Sequence, residues 1–407
     1  MNATYEHVTC LGCGLSCDDL TVTTESGRIA DVQNGCDLGR AWFGSGVVPG
    51  EIRSRGESVA LEQALVDAAE LLGNARRPLV YLAPELSVEA QRAVVAIADR
   101  LRAVLDGSTS LAAEYMLAAQ RRGRTGATLG EIRRHADLMV FWGVDPTARW
   151  PRYVRRVANP ESPPSLVAID IGARRGLPEA TIRCSIEPGL EVVALGVLRA
   201  AVLGRAPLVP AALAPFTDLA HQMLRARYVV LVHDVESTDP GRDPDRFEAL
   251  IALAQALNAP TRAALSPLIA GGNRTGAAQV VAWQTGFPMT VDFGSGSPAY
   301  RPGDIVRGAG WERELDALLI AGDPGSLPHK LASLLGSVPV VLIGPRTSAA
   351  SLQATVLVDT AVAGIHESGM AFRMDDVPLP LTTVLASGPP AASEVLSALL
   401  EHLQRMR

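Results

Sequence analysis

LMVFWGVDP (Leu138–Pro146) and LLIAGDPG (Leu318–Gly325) share one pattern, an apolar run of strand length that ends in glycine, aspartate and proline. A short continuous apolar run bounded by turn residues suits a strand buried on both faces, as in a parallel sheet. Both stretches continue alike. SLVAIDIGARR (Ser165–Arg175) matches VPVVLIGPRTS (Val338–Ser348), and next come Ala180-Thr181-Ile182 and Ala354-Thr355-Val356. From Asp145 to Ala180 and from Asp323 to Ala354 the spacings are 35 and 31 residues, an order that chance does not easily keep. Working outward, Leu79–Leu82 reads as a strand, followed by a helix that Ser87 can cap and whose apolar stripe is Val88, Val94, Val95, Ile97, Ala98 and Leu101. Tyr228–Val232 is likewise followed by a helical run, Phe247–Leu257. Strand and helix in alternation predict an α/β protein of two related halves, each a doubly wound parallel sheet. The expected boundaries are 56–215 and 216–407, the second half enlarged by an insertion at about 265–310.

Residues 1–55 form a separate expectation. Four of the five cysteines, Cys10, Cys13, Cys17 and Cys36, lie in a C-x2-C-x3-C-x18-C array. The short spacings let one turn of backbone present three sulfurs to one point. A hairpin then returns Cys36 beside them: Leu20 and Val22 alternate before a Ser26-Gly27 turn, with Ile29 and Val32 after it. Four soft thiolates suit an iron–sulfur cluster or a structural zinc. The alternative, a staple of buried or disulfide-bonded thiols, fits poorly with a long chain without an export signal. Cys184, in a predicted strand, reads as a small core residue.

The 407 residues suffice for two or three domains, and 48% apolar residues give each a core. A net charge of −6, spread along the chain, argues against a nucleic-acid or membrane partner. The start MNATYEHVTC lacks a signal segment, and the apolar run VVALGVLRAAVLG is short and carries Arg199, so a cytoplasmic location is expected. No H-x-H, H-E-x-x-H or G-x-S-x-G motif is present. Gly143, Asp145, Asp170, Gly322 and Asp323 stand at strand carboxyl ends, where glycine lets a ligand approach and an acid can bind a ribose or base edge. Tight turns and helix caps need the same residues.

CLGCGLSCDDL with the later Cys36, TLGEIRRHADLMVFWGVDP, WQTGFPMTVDF and SGMAFRMDDVPLPL together resemble the B subunit of formylmethanofuran dehydrogenase, almost end to end. That family belongs to the molybdenum and tungsten enzymes with two pterin guanine dinucleotides. The resemblance therefore implies two Rossmann-like halves of the molybdopterin-oxidoreductase type, with Gly143, Asp145, Asp170, Gly322 and Asp323 as remnants of the pterin-dinucleotide sites. It also implies a [4Fe–4S] cluster on Cys10, Cys13, Cys17 and Cys36, with zinc the alternative that the residues leave open.

One departure is decisive. Catalytic members carry a metal-ligating cysteine or selenocysteine some distance before TLGE. Here the stretch reads Ser108-Thr109-Ser110-Leu111-Ala112-Ala113-Glu114, and Leu111 falls at or near the ligand position. No cysteine lies between Cys36 and Cys184. A molybdenum or tungsten pterin is accordingly expected to be absent. The arginine-rich sequence and the lost ligand are most similar to the B subunit of the bacterial formyltransferase/hydrolase complex. The resemblance implies a non-catalytic subunit in tetrahydromethanopterin- and methanofuran-dependent one-carbon metabolism. Its partners would be formyltransferase and hydrolase subunits and a further homologous subunit, with a polyglutamylated methanofuran-like carrier on the partners. The alternative is a redox-active dehydrogenase subunit in which Ser108, Ser110 or Glu114 replaces the missing ligand. The resemblance implies that the segments of Trp283, Gln284, Phe287, Glu367, Arg373, Asp375 and Asp376 lie around the pterin or against neighbouring subunits in working relatives, while in this chain they read as packing and surface ion pairs; Arg121, Arg122 and Arg124 suit an anionic carrier tail or an acidic partner, or a solvated loop.

Overall fold

The computed structural model describes residues 2–107, 113–205, 209–235, 242–300, 314–327, 336–350 and 352–406. β1 (Ala3–Val8), β2 (Leu20–Glu25) and β3 (Arg28–Gln33) form a small antiparallel sheet. Ser26 and Gly27 both take positive φ, +50° and +76°, as the two-residue hairpin requires. Leu20, Val22, Ile29 and Val32 are buried, in keeping with their alternation in the sequence.

After α1 (Asp37–Phe43) come β4 (Ile52–Ser54), β5 (Glu57–Ser58), α2 (Leu61–Gly73), β6 (Pro78–Leu82), α3 (Val88–Arg100) and β7 (Val104–Gly107). Ser87 caps α3, its Oγ accepting from Ala90 N at 3.3 Å. The chain then builds a different sheet. Its elements are α4 (Ala113–Arg122), α5 (Leu129–His135), β8 (Leu138–Trp142), α6 (Tyr153–Val157), β9 (Ser165–Ile171), β10 (Ile182–Ile186), α7 (Glu191–Val202), α8 (Ala214–Arg225), β11 (Val229–Asp234), α9 (Arg246–Leu257) and β12 (Ala263–Leu268). These five strands are parallel, in the order β10-β9-β8-β11-β12. Cys184 is buried in β10.

The first sheet is completed only afterwards. α10 (Arg274–Thr285), β13 (Val291–Asp292), β14 (Ala299–Tyr300), β15 (Ala317–Ala321), β16 (Val340–Gly344) and β17 (Val356–Asp359) precede the hairpin of β18 (Gly369–Phe372) and β19 (Pro378–Leu381) and the last helix, α11 (Ala392–Arg405). The resulting order is β14-β13-β7-β6-β15-β16-β17-β4-β5, with β7 to β17 parallel and antiparallel strands at both edges. Alternate residues serve opposite faces, as the strand period demands. Val80, Leu82, Leu319 and Ala321 join the core under α2, α3, α10 and α11, while Leu79, Tyr81, Leu318 and Ile320 form the core of the other face.

The two compact units therefore do not follow the linear halves expected at 56–215 and 216–407. Unit 1 is Met1–Ser110, Gly271–Arg373 and Pro378–Arg407, and unit 2 is Leu111–Ala270 with Met374–Val377. The 1–55 segment clusters within unit 1, because β4 pairs with β17. The expected insertion at 265–310 begins inside β12 of one sheet and includes α10, whose apolar side packs on α3 over the other, so it is no insertion but part of the framework. Strands matched by sequence nonetheless hold matching places. β8, β9 and β10 run outward in one sheet as β15, β16 and β17 do in the other, and β11 and β12 correspond to β6 and β7. Among the described residues no helix is long and apolar enough to cross a membrane.

The C-terminal helix of unit 1 hangs on one buried carboxylate. Glu367 accepts from Ala392 N (2.9 Å), Ser393 N (3.2 Å) and Ser393 Oγ (2.6 Å) at the start of α11, and from Ser87 Oγ (3.3 Å) at the cap of α3. Glu367→Ala is expected to destabilise unit 1 by about 2–3 kcal/mol, since buried donors lose their acceptor. Urea unfolding should show a lower midpoint, and hydrogen exchange should speed up first in α11.

Candidate functional site

The cysteine loop leaves β1 at Val8 and is closed by Cys10 N donating to Cys17 O at 2.9 Å and Ser16 N to Cys13 O at 3.0 Å. Cys36 lies beyond β3 as the residue preceding α1, and Asn34 ties that exit back to the loop through Asp19 O (3.0 Å) and Asp19 Oδ2 (2.9 Å). All four cysteines are free thiols; three are buried and Cys36 is half-buried. Burial pushes the Cys10 thiol up; the Gly12 amide opposes this, and the nearby Cys13, Cys17 and Cys36 add to it. The four thiols thus occupy one neighbourhood, as the hairpin implies.

Glycines make room for them. A Cβ on Gly39 would stand 3.3 Å from Cys10 Sγ and 4.0 Å from Cys36 Sγ, and one on Gly12 would stand 2.8 Å from Leu38 O. Gly12 N donates to Cys10 Sγ at 3.3 Å, and Ser16 Oγ is buried without a partner. A sulfur-rich group fits this donor set. Among the described residues, however, no three His, Cys, Asp or Glu side chains are placed to hold a single metal ion.

The five strand-end residues serve the protein itself. Asp145 accepts from Thr147 N (2.9 Å) and Thr147 Oγ1 (2.7 Å), a local turn. Asp170 is enclosed by Gly176 N (2.9 Å), Arg175 (3.1 Å) and Arg183 (2.6 Å). Burial alone would raise its carboxyl; the Gly176 amide and the two arginines outweigh that and hold it below the usual range. Gly143 has φ +60°, and a Cβ there would meet Ile171 Cδ1 at 2.6 Å. Gly322, φ +108°, faces Ala83 in the same way. Asp323 caps the turn at Gly325 N (2.8 Å) and lies beside Glu85, whose carboxyl is pushed up to about 7 by burial and then by the Asp323 charge.

The remaining candidates are mostly paired. Arg121 and Arg122 bind Glu248, and Arg124 binds Asp376. Arg373 reaches Asp18 at 3.5 Å, Asp375 accepts from Leu129 N at 2.7 Å, and Phe287 stacks on Tyr300. Trp283 is 58% exposed, with its ring against Phe372, and neighbouring Gln284 is exposed. Glu114 is exposed at the start of α4; Ser108, Ser110 and Leu111 lie outside the described residues.

Sequence reasoning misses a polar cluster in unit 2. Trp142 Nε1 donates to Glu191 at 2.7 Å, Arg242 forms a buried two-point ion pair with the same Glu191, and His233 and Arg246 are buried nearby. The available signal is the ending of VVLVHD, where His233 and Asp234 follow four apolar strand residues.

No family model matches the chain. It is 28% identical over 432 residues to the B subunit of tungsten-containing formylmethanofuran dehydrogenase 2 of Methanocaldococcus jannaschii, covering 98% of each chain. To the protein of the same name in Methanococcus maripaludis it is 27% identical over 433 residues, 99% of each. To the B subunit of the formyltransferase/hydrolase complex Fhc of Methylorubrum extorquens it is 30% identical over 259 residues, 60% of this chain and 67% of that one. The fold matches a chain in the crystal structure of the formyltransferase/hydrolase complex of Methylorubrum extorquens with methylofuran. The TM-score is 0.70 at 25% identity, over 87% of this chain and 98% of that one.

Asp170→Asn should weaken unit 2 by about 2–3 kcal/mol at neutral pH, because two arginines lose a charged acceptor. A carboxyl held low in the folded state contributes stability above its unfolded pKa and loses it as the pH falls through its folded one. The gap between wild type and variant should therefore close on acidification, which unfolding curves at pH 7 and pH 3 would reveal.

Proposed function

We propose that this chain, which belongs to the family of formylmethanofuran dehydrogenase B subunits, serves as a non-catalytic structural subunit of a formyltransferase/hydrolase complex in one-carbon metabolism. The observation that carries this reading is the absence of any cysteine between Cys36 and Cys184, with the apolar Leu111 at or near the position where catalytic relatives carry a metal ligand. The strand-end acids lend support, since Asp145 and Asp170 are engaged by protein donors. The two five-stranded parallel cores are read as Rossmann-like halves that have lost their dinucleotides. Formyl transfer and release of formate would take place on partner subunits, which would also hold the methanofuran-like carrier. Contact with them is expected to bury roughly 2,000 Å² or more, as in obligate complexes. The chain is expected to work in the cytoplasm.

Cys10, Cys13, Cys17 and Cys36 would hold a [4Fe–4S] cluster in preference to zinc. Each thiolate of a cluster binds its own iron, which suits four thiols in one neighbourhood at the spacing C-x2-C-x3-C-x18-C. When bound, the cluster supplies one-electron storage; in a subunit without a second redox centre it acts as a structural clip. Gly39 and Gly12 leave space for it, Gly12 N–H donates to Cys10 Sγ, and Ser16 Oγ–H is available to a sulfur acceptor.

A second reading is favoured by the full-length similarity to tungsten-containing proteins: a redox-active subunit with a molybdenum or tungsten bispterin. Elemental analysis with acid extraction of fluorescent pterin separates the two. The expected result for the purified complex is no molybdenum, tungsten or pterin, about four irons per chain, and visible absorption bleached by dithionite. Stoichiometric tungsten or molybdenum with two pterins would replace the scaffold reading, and one zinc in a colourless protein would replace the cluster.

A further inference from the structure

We propose that unit 2 binds a small oxyanion, of phosphate or carboxylate type, at the carboxyl ends of β8 and β11 through Arg242, Arg246 and His233. The site is independent of the cysteine loop and of the strand-end residues Asp145 and Asp170. β8 and β11 are neighbouring parallel strands whose connections diverge, β8 leading to β9 on one side and β11 to β12 on the other. Ligands of open parallel sheets collect at such a divergence.

Three buried groups there have donor capacity that the described residues do not use. Arg242 is 6% exposed; Nε and Nη2 bind Glu191, and Nη1 has no partner. Nη1 lies at the end of β8, 3.4 Å from where a Cβ on Gly143 would stand. Arg246, 4% exposed, donates to Asp243 O at 2.9 Å and lies 4.0 Å over the Phe247 ring, yet its Nε is unpartnered and no carboxylate among the described residues bonds it. His233, 1% exposed, packs edge-on to Tyr115, and neither ring nitrogen has a partner. An imidazole carries at least one N–H in its neutral and its protonated form.

Of the carboxylates that act on Arg246, Glu191 is held by Arg242 and Trp142, Asp234 by Arg149 at 3.0 Å, and Glu114 is exposed on α4 and acts through space without a bond to it. What remains among the described residues is a buried cation without a bonded counter-ion and three open donors. A buried charge in that condition is unfavourable without a partner of opposite sign. The titration behaviour agrees: burial and then Arg246, Arg242 and Arg124 pull His233 down to about 3, and burial and then Arg242 lower Arg246 to about 10. A single oxyanion would give the Arg246 guanidinium a bonded counter-ion and accept from all three open donors.

Equilibrium dialysis of the full-length protein against labelled inorganic phosphate and, separately, labelled formate tests the site, at ionic strength fixed with chloride. One saturable equivalent per chain is expected; which probe is retained distinguishes a phosphate-type from a carboxylate-type site. Arg246→Gln should weaken binding about tenfold or more. Thermal unfolding of wild type should rise with the retained anion and not with chloride, a readout that needs no variant. Absence of saturable binding by either probe, or undiminished binding by folded Arg246→Gln, would overturn the proposal.

Discussion

The pairing of β6 with β15 is the constraint on which unit 1 depends. Leu79 lies opposite Leu318 and Leu82 opposite Ala321, so the centre of the larger sheet is a seam between segments separated by all of unit 2 except its short return. Closing so long a loop costs chain entropy before any contact rewards it. The seam is therefore built from residues buried on both faces, where apolar area and ladder hydrogen bonds are gained together. Unit 2, from Leu111 to Ala270 apart from its four-residue return at Met374–Val377, closes over shorter sequence distances. Contact order alone then orders the events: unit 2 has the local topology to form early, and β15 completes unit 1 late.

Burial sets a uniform demand at the strand ends, and the two units answer it with named partners. Asp170 is satisfied by Arg175 and Arg183, and Glu367 by the amides of α11 and the hydroxyl of Ser87. Glu85 and Asp323 illustrate a different answer, a carboxyl kept near neutrality by burial and by a like charge. Carboxylates engaged in this way are not free to meet a ligand, which is in keeping with the structural role proposed above.

Sequence is most legible where one physical rule operates alone. β8 reads as Leu138–Trp142 and is found there, because a strand buried on both faces is a continuous apolar run with nothing to confuse it. Ser87, a cap residue directly before an apolar stripe, is legible for the same reason. The matching of β15 to β8 and β16 to β9 also survives in the sheet order. The interleaving of the units is not legible, because local pattern says that Leu79–Leu82 is a strand and is silent on whether its neighbour comes from residue 140 or 320. Asp170 looks like an open ligand in the sequence and is not one: its partners come from a turn and the next strand, and charge pairing across a turn has no period to read. Arg242 and Arg246, ordinary arginines in a polar stretch, acquire meaning only through the burial that folding imposes.

The walls of the cysteine loop come from distant parts of the chain. Gly272 N donates to Leu11 O at 2.9 Å, a Cβ on Gly271 would stand 2.8 Å from Gly12 O, Thr9 Oγ1 donates to Pro380 O at 2.9 Å, and Arg373 reaches Asp18. During synthesis all four thiols of the array leave the ribosome near the start, while Gly271 follows much later and Pro380 near the end. For most of translation the array is therefore an open loop of uncovered thiols. The finished fold then closes over it, so access to the four thiols is governed by the timing of synthesis as much as by their chemistry.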